Sequence, residues 1–333
     1  MPPLRKRDLR MKLFDLHCDT LLRCYLENCG LCRNDGHLDL EKMERGGALA
    51  QCFAIFLPFE GLLRDGRRLR PYELFQDIHR LYEREMEQNA GRIAPTRTLQ
   101  ELKAHQAAGV ISSVLTVEDG ALLEGRLERV KELYEKGVRM LTLTWNYDNC
   151  IGSPNSAKPV EHAKGLKLFG FQVLEEMERL GMVVDVSHLS EGGFWDVARV
   201  SRKPFVASHS CARALCDHPR NLTDAQLRAL ADHGGVVGVN YNAEFLRCNS
   251  KRTCVDDILR HVEYMLQVAG SDAVALGSDF DGITCELELA DYGETGKLVQ
   301  ALAHRYPDFL VEKICCQNAL RVLKDCLGRR NDQ

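Results

Sequence analysis

The chain has 333 residues, 45% of them hydrophobic and 28% charged, with 26 glycines and 10 prolines. That balance excludes collagen-like, disordered and coiled-coil classes, and no run of about 18 apolar residues is present to span a membrane. Lys and Arg number 44 against 48 Asp and Glu, a net charge of −4 that makes nucleic acid an unfavourable partner.

Arg5, Lys6, Arg7 and Arg10 crowd the start of the chain, but no apolar stretch follows them, so no secretory signal is expected. Residues 1–11 are expected to form a loose basic arm, and residues 12–333 a single domain. With 14 cysteines and no signal, a reducing, cytoplasmic setting is expected in place of a disulfide framework. Cys29 and Cys32 form one C-x-x-C, without a second pair at zinc spacing, and the thiols are read as free.

Eight β-rich runs follow in order: Lys12–Leu16, Ala50–Leu57, Val110–Val117, Val138–Trp145, Met182–Val186, Pro204–Ala207, Gly235–Tyr241 and Ala273–Leu276. Helical stripes lie between several of them. Leu74, Phe75, Ile78, Leu81 and Tyr82 share a face behind Pro71, which suits a first turn. Leu166, Phe169, Val173, Met177 and Leu180 form a second stripe, stopped by Gly181. Ile258, Leu259, Val262, Met265 and Leu266 form a third, with Thr253 and Asp256 expected as a capping box and Gly270 as the stop. Eight strands alternating with helices predict a parallel (β/α)8 barrel of TIM type. The nearly continuous apolar strands agree, since both faces of such a sheet are buried. An open doubly wound sheet is the alternative. Gly234–Gly238 resembles a nucleotide loop but precedes a strand, so it reads as a turn.

In such a barrel, chemistry sits at the C-terminal ends of the strands. His17 and Asp19 follow the first run, Glu118 the third, His188 the fifth, His209 and then Arg220 the sixth, and Asp279 and Asp281 the eighth. Three imidazoles and several carboxylates converging on one rim suit divalent metal, since zinc takes these ligands at about 2.0–2.2 Å. A carboxylate such as Glu118 has two oxygens and can bridge a metal pair ~3.5–4 Å apart. Asp279 is favoured over Asp281 for proton transfer. The other eight of the 11 histidines are read as ordinary surface or core residues.

These segments resemble a known family. Phe14-Asp15-Leu16-His17-Cys18-Asp19, Leu141-Thr142-Leu143-Thr144, Asp185-Val186-Ser187-His188, Ser208-His209-Ser210, His218-Pro219-Arg220-Asn221-Leu222-Thr223-Asp224 and Gly277-Ser278-Asp279-Phe280-Asp281-Gly282 look like the membrane (renal) dipeptidase family of the amidohydrolase superfamily. The likeness runs from about residue 12 to Asn318-Ala319-Leu320-Arg321-Val322. It implies two zinc ions per chain. His17 and Asp19 match the ligands of one, His188 and His209 those of the other, and Glu118 the bridge. Asp279 matches the acid/base residue and Arg220 the residue that holds the substrate carboxylate. A homodimer is also implied.

One departure stands out. Well-known members carry a substrate-binding histidine just after Leu-Thr-Leu-Thr, where this chain has Trp145. Indole donates one hydrogen bond, accepts none and does not titrate. The expected activity is hydrolysis of dipeptides with a free C-terminal carboxylate, through a hydroxide bridging the zinc pair. The alternatives are hydrolysis of a related amide such as an N-acyl amino acid, a mononuclear deaminase, and a catalytically inactive binding barrel.

Overall fold

The computed structural model describes residues 11–58, 62–64 and 66–327. Eight parallel strands form the barrel: β1 Leu13–Cys18, β2 Ala48–Phe56, β3 Ile111–Glu118, β4 Val138–Thr142, β5 Val183–Asp185, β6 Val206–Ser210, β7 Val236–Val239 and β8 Val274–Leu276. Each pairs with the next, and β8 pairs back onto β1, so the barrel closes. All eight correspond to the runs expected from sequence. A three-residue strand, Ile93–Pro95, was not expected; it pairs with the first residues of β3, below the point where β4 joins. Most of the expected basic arm lies outside the described residues.

All eight strands contribute to one interior cluster, with Phe14, Leu16, Cys52, Val114, Met140, Val183, Val206, Val236 and Ala275 among its members. Val322, Leu323 and Cys326 of the C-terminal helix Asn318–Leu327 join it. That helix therefore plugs the N-terminal end of the barrel, and only the C-terminal end is left for chemistry. The larger apolar cluster lies between the strands and the outer helices.

The helices follow their end signals. Pro71 is the first residue of the helix Pro71–Gln88. Gly181 closes Leu168–Leu180 at a φ of 84°, in the left-handed region a glycine reaches without penalty; Leu166 falls before that helix. The expected capping box before Val255–Ala269 is displaced by one residue. The Cys254 N–H donates to Asp257 at 3.1 Å. Thr253 is drawn into a short pairing with Leu287, and its hydroxyl donates to the Tyr241 carbonyl at 2.6 Å. The C-x-x-C pair does not act together: Cys29 faces Cys24 at 3.3 Å, while exposed Cys32 meets Arg92.

Two glycines set how closely the last strands approach β6. A Cβ on Gly238 would stand 2.0 Å from the Ser208 carbonyl oxygen, and one on Gly277 only 1.8 Å. The obstacle is backbone, which cannot swing aside. Gly277→Ala is therefore expected to destabilise the barrel by about 3 kcal/mol or more, at the upper end for overpacking. Denaturant unfolding checks this; wild-type stability would mean that the β6–β8 spacing is loose.

Candidate metal centre

Six of the expected residues meet at the open end of the barrel. His17 is the penultimate residue of β1, Glu118 ends β3 and His209 lies within β6, while Asp19, His188 and Asp279 sit one to three residues beyond their strands. All six are buried. His188 and Asp279 adopt left-handed backbone, with φ of 66° and 63°. For residues other than glycine that conformation is costly, and it concentrates at functional sites.

The two oxygens of Glu118 face two different groups. Oε1 lies 3.0 Å from His188 Nε2 and 3.5 Å from His209 Nε2. Oε2 lies 3.6 Å from His17 Nε2, which is itself 3.5 Å from Asp19 Oδ2 and 3.8 Å from Asp279 Oδ1. Ligand atoms of His17, Glu118 and His209 fall within 4.8 Å of one another, as do those of His17, Asp19 and Asp279.

The hydrogen bonds fix which ring nitrogens carry hydrogens. His188 Nδ1 donates to Asn146 Oδ1 at 2.8 Å. Ser208 Oγ gives its single hydrogen to Asp185 Oδ2 at 2.6 Å, so at 2.7 Å it accepts from His209 Nδ1. Both rings then present bare Nε2 lone pairs, and these face each other at 3.0 Å. Two lone pairs at that distance repel unless a cation lies between or beside them. Both ring nitrogens of His17 and Oδ1 of Asp19 are buried without a hydrogen-bond partner. Orphaned imidazole and carboxylate donors on both sides of a two-oxygen carboxylate fit divalent metal.

Arg220 is nearly fully buried. Its Nη2 donates to the His209 carbonyl at 3.1 Å and its Nη1 to Ser210 Oγ at 3.3 Å, while Nε has no partner. Among the described residues no carboxylate lies within 4.0 Å of this guanidinium. The helix that follows, Asp224–Asp232, is capped by Thr223. Trp145 is half-buried, its ring 6.2 Å from that of His188. Asp281 is a turn anchor, accepting from Thr20 Oγ1 at 2.6 Å and from the His37 N–H at 2.7 Å.

Sequence reasoning missed the supporting residues. Asn240 donates to Asp279 Oδ2 at 2.9 Å, and its own Oδ1 is held by the Asn242 N–H at 2.6 Å. A Cβ on Gly282 would lie 2.0 Å from Asp19 Oδ2 and 2.4 Å from Asp279 Oδ1, so only glycine lets both carboxylates stand there. The available signal was position: Asn146 and Asn240 lie just past the C-terminal ends of β4 and β7, and Ser208 adjoins His209 in β6.

A family model for membrane dipeptidase, peptidase family M19, matches residues 6–332. The chain belongs to the membrane dipeptidase family. A solved dipeptidase AC, a metallopeptidase of family M19, superposes with a TM-score of 0.86 at 30% identity, over 96% of this chain and 99% of that one. A Rhodobacter sphaeroides metallopeptidase, solved with a phosphinate mimic of L-Ala-D-Ala, gives 0.85 at 29% identity, over 95% and 99%. An uncharacterized dipeptidase of Schizosaccharomyces pombe is 34% identical over 298 residues, 82% of this chain and 69% of its own. The expected barrel, enzyme class and metal-dependent peptidase chemistry are thereby established, with a peptide as substrate. Among the described residues no helix is long and apolar enough to cross a membrane.

Without metal, several of these clustered side chains hold extra protons. Burial, reinforced by Asp19, pushes Glu118 up to about 8. Burial pushes Asp279 up to about 7, against the pull of His17. Burial opposes charge on His17, but Asp19 and Glu118 outweigh it and hold its pKa well above the usual value. Burial drives His188 and His209 the other way, so they are neutral and ready to ligate. Metal requires ionised carboxylate and neutral imidazole. Metal uptake at pH 7 is therefore expected to release protons, and affinity to rise from pH 6 through pH 8 as Asp279 and then Glu118 ionise. Calorimetric titration in buffers of different ionisation enthalpy measures this; uptake with no proton release at pH 7 would contradict the assignment.

Proposed function

We propose that the chain is a zinc-dependent dipeptidase acting on dipeptides with a free C-terminal carboxylate. One observation carries the reading: the buried Arg220 guanidinium, without a carboxylate partner, stands on the same rim as the Glu118 cluster. Leaving such a charge unpaired is costly, and a substrate carboxylate supplies the missing partner through a planar two-point fork. The dipeptide mimic bound by the Rhodobacter sphaeroides relative supports the same substrate class.

His17, Asp19 and Glu118 would hold one zinc, and Glu118, His188 and His209 the other. When bound, the ions would lower the pKa of the attacking water and polarise the scissile carbonyl. The chain's own residues do the rest. Arg220 positions the substrate by its carboxylate. Asp279, oriented by Asn240, takes the proton from water and returns it to the leaving amine.

Zinc-loaded enzyme is expected to contain two ions per chain. A charge-assisted hydrogen bond contributes roughly 1.5–3 kcal/mol, so Arg220→Ala should lower kcat/KM for a free dipeptide by about 10- to 100-fold. A C-terminally amidated dipeptide should be a poor substrate of the wild type and barely change in the variant. Equal loss on both substrates would mean that Arg220 supports the loop and does not read the carboxylate. Asp279→Asn should keep both metals and lose about 10²–10⁴-fold in kcat; metal analysis with steady-state kinetics checks it, and near wild-type turnover would remove Asp279 from proton transfer.

A further inference from the structure

Across the barrel mouth from Arg220 lies a group of aromatic rings. Phe56 ends β2 and pairs in register with Glu118, which pairs in turn with Thr142 at the end of β4. Register partners in a parallel sheet project from the same face, so Phe56 points to the side that Glu118 occupies, into the mouth of the barrel. Trp145, just beyond β4, packs on Phe56 with ring centroids 4.9 Å apart, and on Tyr147 at 5.6 Å. The same indole reaches the His188 ring at 6.2 Å. The rings are not sealed into the core: Phe56 and Trp145 are half-buried and Tyr147 is 38% exposed.

The closed strand order gives these rings a direction relative to the substrate. Arg220 follows β6, and β2 is four strands from β6 in a barrel of eight, hence diametrically opposite. A dipeptide held by its C-terminal carboxylate at Arg220, with its peptide carbonyl over the Glu118, His188 and His209 cluster, would extend its N-terminal residue toward β2, where Trp145 of the loop after β4 packs on Phe56. The side chain of that residue meets Phe56, Trp145 and Tyr147.

We infer that Phe56, Trp145 and Tyr147 form a specificity surface selecting an apolar, preferably aromatic, side chain on the N-terminal residue of the substrate. This deepens the dipeptidase reading and rests on it. Burial of the incoming side chain removes apolar area from water on both partners, and ring-on-ring contact adds to it. The rings bring no formal charge, so an acidic side chain would exchange its hydration for at most a neutral donor such as the indole N–H.

The test is kcat/KM of the zinc-loaded enzyme for Phe-Ala, Ala-Ala and Glu-Ala, in the wild type, Trp145→Ala and Phe56→Leu. The three substrates share the carboxyl end read by Arg220 and differ only where the rings are. Wild-type enzyme is expected to prefer Phe-Ala over Ala-Ala by about 10-fold or more, with Glu-Ala slowest, a range ordinary for apolar pockets. Trp145→Ala should bring the Phe-Ala to Ala-Ala ratio down to within about threefold of unity, and Phe56→Leu should lower it by less. Equal rates on all three substrates in the wild type, or a preference that survives Trp145→Ala, overturn the inference and leave the dipeptidase reading standing. Turnover of none of the three overturns that reading, and the inference falls with it.

Discussion

The centre of this molecule is a repulsion built into its fold. His188 and His209 aim bare nitrogens at each other from 3.0 Å, and the buried Glu118 carboxylate turns one oxygen toward them and the other toward His17. Without metal, these atoms are accommodated only by taking up extra protons, on Glu118 and His17. Divalent metal would replace these lone-pair conflicts with coordinate bonds. The rest of the barrel's upper end can be understood as what holds those donors in place against their mutual repulsion.

Two aspartates do much of this. Asp185 accepts from Thr142 Oγ1 at the end of β4, from the Ser187 N–H past β5, and from the N–H and hydroxyl of Ser208 in β6. One carboxylate thus ties three strand ends together and, through Ser208, sets the hydrogen on His209. Asp15 does the same work between β1 and the end of β8, accepting from the N–H groups of His17 and Ser278. Burial raises the pKa of Asp15, and the two backbone donors favour its charged form. Glycine completes the frame. Gly238 and Gly277 let β7 and β8 close on the Ser208 carbonyl, and Gly282 leaves room for Asp19 and Asp279.

The closed sheet distributes these side chains over the rim. Arg220 stands on the β6 side, Phe56 and Trp145 on the β2 and β4 side, and the Glu118 cluster lies between. Because the C-terminal helix fills the other end of the barrel, substrate enters and leaves past these same residues. Arg220 is kept in position by its own donors to the His209 carbonyl and Ser210, so it is hydrogen-bonded to the strand that carries His209.

The eight apolar runs and the polar residues at their ends determined the barrel and the six residues of its centre, because strand period and strand-end chemistry are local properties written in order along the chain. The departure at Trp145 was visible only against the family pattern that the motifs resemble. Other features depend on which strands become neighbours and could not be read from order alone. Asn146 meets His188 from 42 residues away, and Asn240 meets Asp279 from 39. That Glu118 turns its two oxygens to different partners, that Arg220 is buried without an anion, and that Phe56 lies under Trp145 are consequences of closure. Closure brings β2 beside β3 and sets it opposite β6, and these are distances around a ring, which a linear pattern does not contain.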